Sequence, residues 1–228
     1  NFQNLPVRIK WLMEMVRRAI RARPGRRLVE IDYKGIEVSG AYCYHKDPNM
    51  RKYLLDKSKD MHRDMAMACY MLALEEVGKL IRYAAKNQFV FPEFYGAWWL
   101  DCAAGLWRII DTLKLKTESG VPLRDHLKEQ GIKRLGDQDR ENPDPKKGTF
   151  ERHIMEIEKH FWGKRFPTYA KWKKQWYEDY LRKGWFQMHT GFICQGFMVR
   201  NEVINLPVQG ASFHCLLWSM NQIVNHEL

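Results

Sequence analysis

The chain has 228 residues, 45% of them hydrophobic and thirty of them aromatic, so it can bury a sizeable core and is not a disordered tract. Its net charge of +11 and isoelectric point near 9.4 point to a polyanionic partner, nucleic acid first and a membrane surface second, unless the protein is merely basic and soluble. Five scattered cysteines without a C-x-x-C pair suit reduced core thiols better than a disulfide framework or a zinc site. The sequence shows no signal peptide and no run of 18 apolar residues, so a soluble cytoplasmic protein without a membrane partner is expected.

In chain order, residues 9–22 have helical periodicity, with Leu12, Met15, Val16 and Ile20 as the apolar stripe and an arginine rim. Pro24-Gly25 ends that helix, and residues 27–33 read as a strand. Helices follow over roughly 48–56, 61–72, 74–90, 97–114, 149–162 and 167–183. Segment 115–148 is rich in Gly, Pro, Asp and Lys and reads as a surface insertion. Residues 185–200 read as a hairpin, and 209–227 as a helix opened by Gln209-Gly210. Mostly helix with one small sheet predicts an α+β fold, predominantly helical.

Three constellations carry chemistry. In "VEIDYKGIEV", Asp32 closes an apolar run and Glu37 sits inside the next. A strand-end carboxylate with a neighbouring carbonyl can hold Mg2+, which prefers hard oxygens, although a turn or cap role is also open. In "IRYAAKNQFVFPEFYG", Arg82 and Lys86 share a helix face and need an anion between them. With Phe91 and Tyr95 they form a strip for a triphosphate, a sugar and a base, or else a solvated basic face beside core aromatics. "NFQNLPVR" and "NLPVQG" are amide-rich segments broken by proline. They suit the acceptor pattern of a duplex minor groove, or simple turns.

In this order the segments resemble the family A DNA polymerases. "NFQNLPVR" is similar to N-x-Q-N-I/L-P-I/V-R, and "DYKGIEV" to motif A, D-Y-S-x-I-E-L/V-R. "DMHRDMA" is similar to D-I/M-H-x-x-x-A, "RYAAKNQFVFPEFYG" to motif B, and "NLPVQG" to N-x-P-x-Q-G. "FPTYAKWKKQWYEDYLRKGWFQMHTG" resembles the later fingers segment.

The resemblance implies a right-hand polymerase architecture: part of the palm at 1–60, fingers at 61–199, and a return to the palm at 200–228. It implies DNA synthesis from dNTPs on a primer–template by two-metal-ion nucleotidyl transfer with Mg2+. Asp32 becomes a catalytic metal ligand with the Tyr33 carbonyl beside it. Glu37 becomes the steric gate against a 2′-hydroxyl. His62, Arg82 and Lys86 hold the triphosphate, and Lys86 also protonates the leaving pyrophosphate. Phe91 packs on the sugar and Tyr95 lies near the templating base. Arg8, Asn205 and Gln209 contact the primer–template, Arg8 and Gln209 in the minor groove.

The sequence departs from the family pattern at several points. Lys34 replaces a serine, Ser39 an arginine, and Arg200 lies five rather than four before Asn205. Motif B carries one extra residue between Lys86 and Tyr95. Counting forward from Lys86 lands on Val90, and counting back from Tyr95 lands on Phe91, which is chosen because an aromatic is needed there. Pro92 should kink the helix. "VNHEL" at 224–228 lies too near Gly210 to be motif C and fits the helix that precedes it. Motif C, the thumb and any exonuclease domain are thus expected outside this chain. A fragment, inactive alone, is the expectation, with a processivity factor or a complementing polypeptide as a further partner. The divergent motifs suit a phage or mobile-element source. The rivals are a single-subunit RNA polymerase, which Glu37 disfavours, and a catalytically dead nucleic-acid-binding module.

Overall fold

The computed structural model describes residues 10–33 and 35–225. Arg8 and the rest of "NFQNLPVR", Lys34 and the last three residues of "VNHEL" lie outside them. By its internal contacts the chain divides into two units, 1–34 and 35–228.

The described part of the first unit holds α1 (Lys10–Ala19) and a turn at Pro24-Gly25. The expected strand at 27–33 does not form. The segment has no ladder partner among the described residues, and an extended chain without one cannot satisfy its backbone as a strand.

The second unit runs α2 (Ile36–His45), α3 (Pro48–Leu55), α4 (Met61–Tyr70) and α5 (Lys79–Ala85). A π turn (Lys86–Val90) joins α5 to α6 (Phe91–Phe94). Then come α7 (Trp99–Thr112), α8 (Leu123–Glu129), α9 (Phe150–His160), a second π turn (Phe161–Arg165) and α10 (Pro167–Lys183). The expected hairpin pairs β1 (Trp185–Gln187) with β2 (Ile193–Gln195), Phe186 opposite Cys194. Last is α11 (Arg200–Asn225). No helix among the described residues is long and apolar enough to cross a membrane.

Local chemistry explains the boundaries. Buried Asp47 accepts hydrogen bonds from the N–H groups of Asn49 and Met50 at the start of α3. Its other oxygen accepts from Thr168 and Tyr169 at the start of α10, so one carboxylate caps two helices. Pro48 and Pro167 occupy first-turn positions where a missing N–H costs nothing. Gly184, at φ +75°, ends α10 in the left-handed conformation. The main core gathers Tyr70, Phe89, Phe94, Leu106, Phe161 and Phe166 between α4, α7, α9, α10 and the helix at 79–94.

Two sequence expectations need correction, and residues 36–45, to which the sequence reading assigned no element, form a helix. Gly40 lets α2 close on α11, where a Cβ would stand 3.3 Å from the Ser212 hydroxyl. Segment 115–148 does not lie wholly at the surface, since it contains α8 and buries Leu115, Leu123, Leu127 and Ile132. Finally, α11 begins at Arg200, not Gln209, and passes through Pro207. The Glu202 carboxylate accepts from Val199 N–H at its start. Gly210 serves packing instead, since a Cβ there would meet the Met188 side chain at 2.6 Å.

Candidate active site

The helical run 79–94 organises the site. Ile81, Ala84, Ala85, Phe89, Val90, Glu93 and Phe94 are buried on its inner face. Arg82, Lys86, Phe91 and Tyr95 are half-buried on the other. The π turn explains how. Phe91 N–H donates to the Lys86 carbonyl, an i→i+5 bond that holds one residue more than an α turn. That turn lies where motif B carries its extra residue. Pro92 follows directly, and its missing N–H makes a regular α turn less favourable there. Across the widened turn Lys86 Nζ stands 5.0 Å over the Phe91 ring, while Val90 is sealed in the core.

Phe91 stacks on Tyr95, ring centroids 5.9 Å apart, and meets His62 edge-on at 5.7 Å. His62 comes from the first turn of α4, whose N-cap is Asp60. Arg82 Nε donates to the Asp60 carboxylate at 2.6 Å. His62, Arg82, Lys86, Phe91 and Tyr95 thus share one surface. Burial, followed by the Arg82 and Lys86 charges, pushes the His62 pKa down to about 4. His62 is therefore a neutral imidazole at neutral pH, and its Nδ1 is buried without a hydrogen-bond partner among the described residues.

The strip continues toward α2 and α11. Burial raises the Tyr95 pKa. The Gln209 side chain opposes that shift and the Glu37 charge adds to it, so both lie near the Tyr95 hydroxyl. Gly96, at φ +92°, has no room for a Cβ, which would sit 2.6 Å from Asn201 Oδ1. An open groove of about 270 Å³ follows, lined by Pro92, Tyr95, Ala97, Asn201, Glu202 and Asn205. Asn205 Oδ1 is buried without a hydrogen-bond partner among the described residues.

Asp32 and Tyr33 lie in the first unit, exposed and outside any regular element. A carboxylate with an adjacent carbonyl is the hard-oxygen set that Mg2+ prefers, so the donors suit the ion in kind. No group of three His, Cys, Asp or Glu among the described residues could hold a metal by itself.

Sequence reasoning overlooked two carboxylates. Asp60 stood within a quoted motif, but without a role. Glu93 was passed over because an acidic residue in an amphipathic helix ordinarily faces water, whereas here it is fully buried.

The fold is that of a polymerase domain. The structure resembles the POL domain of Pol1 from M. smegmatis, solved in complex with DNA primer-template and dNTP, with a TM-score of 0.56 and 16% sequence identity. The likeness covers 92% of this chain and 31% of that one. No curated protein sequence matches the chain. Residues 1–107, which include every motif through motif B, match the family model of DNA polymerase family A. Over those residues the chain is similar to DNA polymerase family A.

Proposed function

We propose that the protein carrying this chain performs template-directed DNA synthesis. The observation that carries this reading is the gathering of Arg82, Lys86, His62, Phe91 and Tyr95 on one surface, within a chain similar to this family. The M. smegmatis domain, whose structure contains primer-template and dNTP, supports it at the level of fold. In terms of the architecture, residues 61–199 act as fingers and the flanking segments as palm.

In the reaction, the primer 3′-hydroxyl gives up its proton to water and its oxygen bonds to the α-phosphorus of a dNTP. The bond from that phosphorus to the bridging oxygen breaks, and pyrophosphate leaves. Positioning and charge neutralisation supply most of the catalysis. Arg82 and Lys86 face the triphosphate. Lys86 donates a proton to the departing pyrophosphate oxygen. His62, uncharged before substrate binds, offers a hydrogen bond to a phosphate oxygen. Phe91 packs on the sugar, Glu37 occupies the space a 2′-hydroxyl would need, and Tyr95 lies beside the templating base. Arg8, Asn205 and Gln209 contact the primer–template. Asp32, with the Tyr33 carbonyl, would hold Mg2+, which when bound neutralises charge at the reacting phosphates.

Primer extension with the whole protein tests this. Asp32→Ala is expected to abolish incorporation while primer–template affinity stays within about threefold, because the metal ligand serves chemistry more than DNA binding. Undiminished turnover in that variant would remove Asp32 from the reaction.

A further inference from the structure

Asp60 carries two contacts that converge on the same surface. One carboxylate oxygen accepts from the backbone N–H groups of His62 and Arg63, each at 3.1 Å, and so caps α4. The other accepts from Arg82 Nε at 2.6 Å. A single side chain thereby fixes the backbone that carries His62 and the guanidinium of Arg82. Burial works against the Asp60 charge, but Arg82 and the capping N–H groups outweigh it and hold the carboxyl below its usual range.

The guanidinium is a rigid plane, so anchoring it at Nε sets the direction of its other donors. Only Nε is engaged among the described residues, which leaves both terminal nitrogens for an incoming anion. The ion pair is partly exposed, and pairs of that kind add little stability. Capping α4 needs only one oxygen, which serine or asparagine would supply equally well. Neither requirement accounts for a carboxylate shared between a cap and an arginine of the strip.

We propose that Asp60 is a positioning residue for the nucleotide, holding Arg82 by one edge so that its terminal nitrogens meet the triphosphate beside Lys86. This rests on the function proposed above. The test is steady-state primer extension by the whole protein with Asp60→Asn and Asp60→Ser, both of which retain a good N-cap. The expected result is a dNTP KM about tenfold higher, with kcat within about threefold and an unchanged unfolding midpoint, as for lost binding without lost chemistry. In an Arg82→Ala background, Asp60→Asn should add almost nothing, because its effect runs through that arginine. An unchanged or lowered KM in both variants would reduce Asp60 to a helix cap. A rise in KM that follows a fall in the unfolding midpoint would do the same. A wild-type protein that neither extends a primer nor retains a dNTP in an equilibrium binding assay would overturn the functional reading itself, a different failure from a flat KM in an active enzyme.

Discussion

The two faces of the helical run 79–94 use the same kinds of residue for opposite purposes. On the outer face Arg82 and Lys86 remain partly in water, and Asp60 is the one carboxylate paired with them among the described residues. On the inner face Glu93 is fully buried. It accepts hydrogen bonds from Trp162 Nε1 at 2.7 Å and from the Cys102 thiol at 3.3 Å. Lys173, from α10, donates to the Glu93 carbonyl at 3.0 Å and lies 3.3 Å over the Trp162 ring. Burial pushes the Glu93 carboxyl up and the Lys173 ammonium down, both toward their neutral forms. The outer charges remain partly exposed, which the proposed contact with a triphosphate requires. The inner ones have given up water and tie the helix to α7, α10 and the second π turn. Burial, rather than residue type, decides which charge is an anchor and which is a tool.

The largest expected effect breaks the inner face. Glu93→Ala leaves the Trp162 N–H without its acceptor and opens a cavity in the core, and should cost about 3–5 kcal/mol of stability. Denaturant unfolding of the whole protein measures this. A loss below about 1 kcal/mol would mean that the cluster is no anchor.

A smaller effect sharpens the outer face. Phe91→Tyr should improve the use of dideoxynucleotides by about tenfold, since the added hydroxyl can replace one hydrogen bond that a missing 3′-hydroxyl leaves unmade. Competition between dNTP and ddNTP in primer extension reads it. No change would indicate that the aromatic of the strip has been misplaced across the π turn.

The smallest effect concerns His62. Its NMR titration should show a midpoint near pH 4, shifted by burial and by the neighbouring cations. Because the folded pKa lies below the unfolded value of 6.5, the stability associated with neutral His62 is fully present above about pH 6.5. It is lost as pH falls through about 4. Added triphosphate should raise the midpoint, since an anion favours the protonated ring. A midpoint near 6.5 without nucleotide would show that the ring is solvated and unaffected by Arg82 and Lys86.

Much of this arrangement could be read from the residues alone. The helices of α3, α4, α7 and α10 follow from apolar periodicity with Asp and Pro at their starts, signals that act within a few residues. Motif B was readable for the same reason, and its one extra residue anticipated the irregularity that appears as a π turn. What could not be read depends on distant partners. Residues 36–45 receive no element from the sequence alone, because α2 packs on α11, more than 150 residues away along the chain. Residues 27–33 look like a strand locally but find no ladder partner among the described residues. Leu123 and Leu127 sit in a polar, glycine-rich stretch whose docking depends on Met71 and Trp107, through His126 and Arg124. Asp60 and Glu93 gain their importance only when Arg82 and Trp162 arrive from other elements.

The division of labour between the two faces is tested most directly by Lys86→Ala in the whole protein, with single-nucleotide incorporation and unfolding measured on the same preparation. On the proposed role of Lys86 as proton donor and phosphate contact, the variant should slow incorporation about a hundredfold or more. The unfolding midpoint should stay where it is, because Lys86 anchors nothing in the core. Incorporation at the wild-type rate, or a loss fully explained by unfolding, would contradict the assignment of this face to the nucleotide.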